Sequence, residues 1–187
     1  MRWQDLLIDA YGEVQKVLEQ ALDGLTQEEL KQQPHPDCNN IGWMTWHMIR
    51  VHDDIISGNM GEEQLWIKDK WHEKFGRDAD PKDTGGRNTS EEVAAFKPPD
   101  VSTILDYHRA VLERSKKYIN GLSEADLDRE VEGPLPNVAT RLNVILSDSL
   151  QHAGQVAYLV RDECRRQSIR VVSRGVLLGD DDKAIFL

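Results

Sequence analysis

The sequence is short of positive charge. Its 187 residues carry 23 Lys and Arg against 33 Asp and Glu, a formal net charge of −10. Phosphate contact needs a basic surface, so nucleic acid is excluded as a partner, and docking on anionic lipid with it. Cysteine is scarce too. Cys38 and Cys164 stand alone, and neither belongs to a CxxC pair, so zinc-ribbon and thioredoxin-like readings have no support. Two distant thiols fit a reducing compartment, and we expect a cytoplasmic protein. No run approaches the ~18 apolar residues of a membrane span. The N-terminus, MRWQDLLIDAYGEV, lacks an uninterrupted secretory h-region because Asp5 and Asp9 break it. Finally, no period-2 strand pattern appears before residue 168.

What is present is helical periodicity, over a length that suits one well-cored domain. Trp3, Leu6, Leu7, Ala10, Val14, Val17, Leu18, Ala21 and Leu22 form a first stripe. A second helix runs from Ile41 to about Ser57, a third starts near Val101, and a fourth spans about Val138 to Arg161. Punctuation agrees: Gly24 and Gly121 end helices, Thr26 and Ser123 open capping-box patterns, and Pro-x-Pro pairs precede helices two and four. Leu25 matches Leu122 and Pro34 matches Pro134, so a hairpin unit repeats at an offset of about 97 to 100 residues. The expectation is an all-α four-helix bundle over residues 1–165 with a long crossover, residues 58–100, between its halves. Within the crossover, EEQLWIKDKWHEKF predicts a three-turn helix, and DADPKDTGGRNTSEE reads as loop ending in an N-cap at Thr89 or Ser90. Residues 166–187 read as a C-terminal arm, with IRVV and AIFL as short strands or a dimer contact.

The chemistry concentrates on two helices. SDSLQHAGQVAY places Asp148 and His152 four residues apart, on one face, among Ile145, Leu146 and Val156. Polar groups buried without partners cost roughly 2–7 kcal/mol, so the pair needs something to satisfy it. A divalent cation does so; a surface-edge acid beside a water-bonded core histidine does so too. Helix two adds His47, on its inward stripe between Met44 and Val51. In the repeat His47 falls close to Asp148, at comparable depth.

NNIGWMTWH followed by RVHDD, then LDYH and SDSLQHAGQVAY, resembles the DinB superfamily, in particular its branch related to mycothiol- and bacillithiol-dependent transferases. The resemblance spans about residues 1–165. It implies a four-helix bundle holding a metal through one ligand from helix two and two from helix four, often all histidines. Carried over residue by residue, the ligands are His47, Asp148 and His152, with Asp148 standing where histidine is common. Two imidazoles and a carboxylate leave zinc, nickel, iron(II) and manganese(II) open, zinc and nickel foremost. Three protein ligands also leave room for water or substrate, as catalytic sites do. The resemblance further implies a low-molecular-weight thiol at that position and a homodimer.

Other polar residues carry lesser roles. Arg50, Asp54, His108 and Tyr158 are candidates to line a pocket, with Gln155 at its mouth; a solvated salt-bridge face is the simpler reading for Arg50 and Asp54. His52, five residues on from His47, is expected to face solvent or a neighbouring chain, and Gly154 to let two helices approach closely. Three functions follow: transfer of a thiol to a small electrophilic substrate, metal-dependent hydrolysis or isomerisation, or a non-enzymatic stress-associated dimer with a structural metal.

Overall fold

The computed structural model describes residues 1–166, so the C-terminal arm beyond Arg166 lies outside the described residues. The four stripes form four long helices: α1 (Trp3–Leu22), α3 (Ile41–Met60), α7 (Val101–Gly121) and α8 (Val138–Arg166). Short helices α2 (Gln27–Leu30), α4 (Leu65–Lys68), α5 (Trp71–Lys74) and α6 (Ser90–Ala94), with a 3₁₀ turn at Ala125–Asp128, fill the connections. Among the described residues there is no strand, only an isolated bridge between Glu130 and Asn137. No described helix is long and apolar enough to cross a membrane.

Helix ends follow local side-chain chemistry. Asn40 caps α3, its Oδ1 accepting from Trp43 N at 2.7 Å, and Gly61 closes the helix in the left-handed region at φ 65°. Asp100 caps α7 by accepting from Thr103 N at 2.8 Å. Thr26 forms the reciprocal capping box that the sequence predicts, with Glu29, and Thr89, expected only as an N-cap, forms another with Glu92. Ser123 opens a 3₁₀ turn instead of an α-helix, with Asp126 accepting from its N–H and hydroxyl.

The crossover departs from expectation. EEQLWIKDKWHEKF is not one helix but two single turns, broken at Lys70, whose φ is 56°. The break turns Trp66, Trp71 and Phe75 into one core, together with Leu65, Val93 and Phe96 from the same crossover. These cover the outer side of α3, and fifteen of its twenty residues are buried. A bundle helix normally keeps a wet face; α3 has almost none.

Buried beside α3 is a charged hub. The Arg50 guanidinium donates to the Asp83 carbonyl at 3.0 Å, Gln64 Oε1 at 2.7 Å and the Pro81 carbonyl at 3.1 Å, and lies 4.7 Å over the Trp66 ring. Asp53 accepts from Leu65 N at 3.1 Å and Trp66 N at 2.8 Å, the first amides of α4, and from Tyr107 Oη at 2.8 Å. Arg50 and Arg114 flank its carboxylate at 3.6 and 3.8 Å. Two charged residues of α3 thus bolt the crossover to the bundle.

Two corrections concern α3 and α8. His52 does not face solvent: it is buried, bonded through Nε2 to Ser115 Oγ at 2.7 Å and edge-on to Tyr11. Among the described residues Gly154 does not seat a neighbouring helix, because a Cβ built there meets none of them within 4 Å. It therefore carries only the entropic cost of glycine in a helix. Gly154→Ala is expected to raise stability by about 0.5–1 kcal/mol, read as an upward shift in the urea midpoint at unchanged slope.

Candidate metal centre

α3 and α8 pack against each other, and His47 faces Asp148 and His152 across that seam. One ligand atom from each of the three lies within 4.8 Å of the others. The His47 and His152 rings meet edge-on at 5.1 Å between centroids. His152 Nε2 stands 3.6 Å from Asp148 Oδ1. All three side chains are partly buried, which leaves the group reachable from solvent.

Hydrogen bonds outside the group orient both imidazoles. His47 Nδ1 bonds to the Thr84 carbonyl. A carbonyl only accepts, so Nδ1 carries the proton and Nε2 keeps its lone pair. His152 Nδ1 is 2.8 Å from Gln155 Oε1, and donation to that oxygen likewise frees Nε2. Burial holds His47 below its ordinary pKa, against the Thr84 carbonyl and Asp148, which favour its charged form. It is therefore neutral at pH 7, as a ligand must be. Trp43 stacks on His47 at 4.8 Å and 10°, covering one face of the ring.

The donor set fits a divalent cation. Asp148 Oδ2 is buried without a hydrogen-bond partner among the described residues. Such an orphan costs about 1–3 kcal/mol, more for a charged group, and a cation held by Asp148 and both Nε2 atoms removes that cost. Two nitrogens and an oxygen, with no thiolate, match borderline divalent metals.

The remaining sequence candidates sit elsewhere. Arg50 is fully buried in the crossover hub, where its contacts are structural. Asp54 accepts from Gln64 Nε2 at 2.6 Å at the rim of that hub. His108 is buried in α7, its Nδ1 unpartnered among the described residues, and burial pushes its pKa down to about 4. Tyr158 is 70% exposed on the open face of α8. Gln155 is the hydrogen-bond partner of His152. What the sequence concealed is the part played by the Thr84 carbonyl on His47 and by Asn88, whose Oδ1 accepts from Trp43 Nε1 at 2.9 Å. A backbone carbonyl has no side-chain signature; the one available sign was the Gly85–Gly86 pair, which marks close approach of a backbone to something.

An all-α bundle whose central helices converge on two imidazoles and a carboxylate defines a class of metal-binding four-helix protein. The chain belongs to the DinB superfamily, whose family model matches residues 10–156. A solved structure described as the conserved protein of locus from Enterococcus faecalis is similar to it, at 26% identity and a TM-score of 0.78, over 86% of this chain and 96% of that one. No curated protein matches the chain.

Proposed function

We propose that the chain is a metal-dependent enzyme that transfers a low-molecular-weight thiol to an electrophilic small molecule. The observation that carries this reading is the part-exposed convergence of His47, Asp148 and His152, which contains no cysteine. The sulfur nucleophile must then arrive from solution. When bound, a divalent cation supplies positive charge that acidifies a thiol or a water near neutral pH. The chain's own residues supply the rest. His47, Asp148 and His152 hold the ion, Thr84 and Gln155 fix the two rings, and Trp43 shields His47 on one side. In the transfer, a sulfur–carbon bond forms, the bond from that carbon to its leaving group breaks, and the thiol proton passes to solvent. A cleft of about 270 Å³, lined by Phe75, Arg77, Asn88, Phe96 and neighbours, shares Asn88 with the anchor of Trp43 but includes none of the three ligands. Zinc and nickel are the metals we favour. A homodimer belongs to the same reading; the exposed Leu150 and Tyr158 lie on one face of α8, and sedimentation at several concentrations tests it.

The test is turnover by metal-loaded protein with a panel of thiols and alkylating electrophiles. The proposal expects product only when both are present, and none from His152→Ala. Turnover of the second substrate without any thiol would instead make the site a hydrolase or isomerase. A tightly held metal with no turnover at all would make it structural.

A further inference from the structure

We propose that the crossover segment from Pro81 to Asn88 is a positioning strap that selects the metal-binding tautomer of His47. The inference rests on the metal reading above and concerns which residues set the strength of that site.

The strap has no regular secondary structure of its own, yet it is pinned on both sides of Thr84. Upstream, Arg50 donates to the Pro81 and Asp83 carbonyls at 3.1 and 3.0 Å, and Arg77 Nε donates to Asp83 Oδ2 at 2.6 Å. Downstream, Asn88 Oδ1 accepts from Trp43 Nε1 at 2.9 Å, and Asn88 N donates to the Gly85 carbonyl at 2.9 Å. Between them Gly85 sits in the left-handed region at φ +83°. A Cβ there lies 2.6 Å from Trp46 Cζ3 and 3.0 Å from Trp43 Cζ2, so the backbone is pressed onto two indoles. Only glycine meets both conditions. The result is one carbonyl, that of Thr84, delivered to His47 Nδ1.

Two effects follow at His47. The carbonyl demands a proton on Nδ1, which leaves Nε2 free toward Asp148 and His152. An imidazole without that acceptor spreads over both tautomers, and the Nε2–H form cannot bind a cation through that atom. The bond that Trp43 Nε1 donates to Asn88 Oδ1 also fixes the Trp43 ring, which in turn holds the plane of His47 by stacking. Partners of this kind change metal affinity by about 10- to 100-fold.

Zinc titration and nitrogen-15 NMR of the metal-free protein test the strap together. We expect His47 protonated at Nδ1 in the wild type and spread over both tautomers in Gly85→Ala. We also expect zinc affinity to fall about 10- to 100-fold in Gly85→Ala. Asn88→Ala is expected to lose about tenfold in the wild-type background and nothing further beside Trp43→Phe, which keeps the stacked ring but lacks the N–H. If Gly85→Ala does not fold, Asn88→Ala and its cycle with Trp43→Phe decide. An Nε2–H tautomer in the wild type overturns the strap. So does a loss of zinc in His152→Ala combined with unchanged affinity in the strap variants, a result that leaves the metal site itself standing. Binding of neither zinc nor nickel by the wild type overturns the metal reading and the strap with it.

Discussion

Asp53→Ala is expected to lower stability by about 3–5 kcal/mol, the cost of leaving a buried partner charge uncompensated. The carboxylate lies between the guanidinium groups of Arg50 and Arg114 and accepts the first two amides of α4 and the Tyr107 hydroxyl. Removing it strands a buried positive charge and unties the crossover at once. Arg50 keeps its carbonyl acceptors at Pro81 and Asp83, which holds the loss within that range. Asp5→Ala is the control. Asp5 pairs with Arg2 in an exposed contact, and exposed pairs contribute little because solvent screens them. Urea unfolding of both variants checks the contrast. A loss at Asp53 no larger than at Asp5 contradicts the structural role given to the hub.

Acid is the second large effect. Burial pushes the pKa of His52 down to about 3 and that of His108 down to about 4. Their unfolded values lie near 6.5. Above pH 6.5 both states are neutral at these positions and pH has no leverage. Below it the unfolded chain takes up protons at both positions that the fold refuses, with His47 adding in the same direction, so stability falls as pH drops from about 6.5 toward about 4. Each histidine shifts the folding equilibrium by up to about tenfold per pH unit in that window. The groups that face them do not reverse this sign: Glu19 opposes the shift at His108, Arg109 adds to it, and His108 adds to that at His52. Paired carboxylates such as Glu19, Asp100 and Asp126, held below their ordinary values by hydrogen bonds, lose their contribution only at lower pH still. Unfolding in chelator at a series of pH values checks the slope, and His108→Gln is expected to flatten it by about one proton. A flat profile between pH 6.5 and 4.5 contradicts the neutral burial of both rings.

The long helices were legible because each carries an apolar stripe, and their caps were legible because Thr26, Thr89 and the glycines act locally. The fate of His52 was not. A position 140° from the apolar stripe reads as solvent when a helix is assumed to have one dry face. Here α3 is dry nearly all round, because Trp66, Trp71, Phe75 and Phe96 fold back over it from the crossover. The same packing explains the broken crossover helix: one continuous helix over that stretch cannot aim Trp66, Trp71 and Phe75 at a single core, and a left-handed Lys70 can. Asp148 and His152 were visible as a pair from their spacing alone. His47 needed the second helix and the repeat to bring it alongside, and the resemblance to set it in a ligand role. The supports around them, a carbonyl on His47 and a carboxamide on Trp43, are tertiary contacts across 37 and 45 residues of chain, for which the sequence offers no periodic signal.

Metal content of the purified protein, wild type beside His152→Ala, bears most directly on the claim that three side chains from two helices share one cation. Reconstitution with zinc or nickel followed by gel filtration and elemental analysis is expected to leave about one ion per wild-type chain and almost none in the variant. Equal metal in the two, with circular dichroism showing both folded, contradicts it.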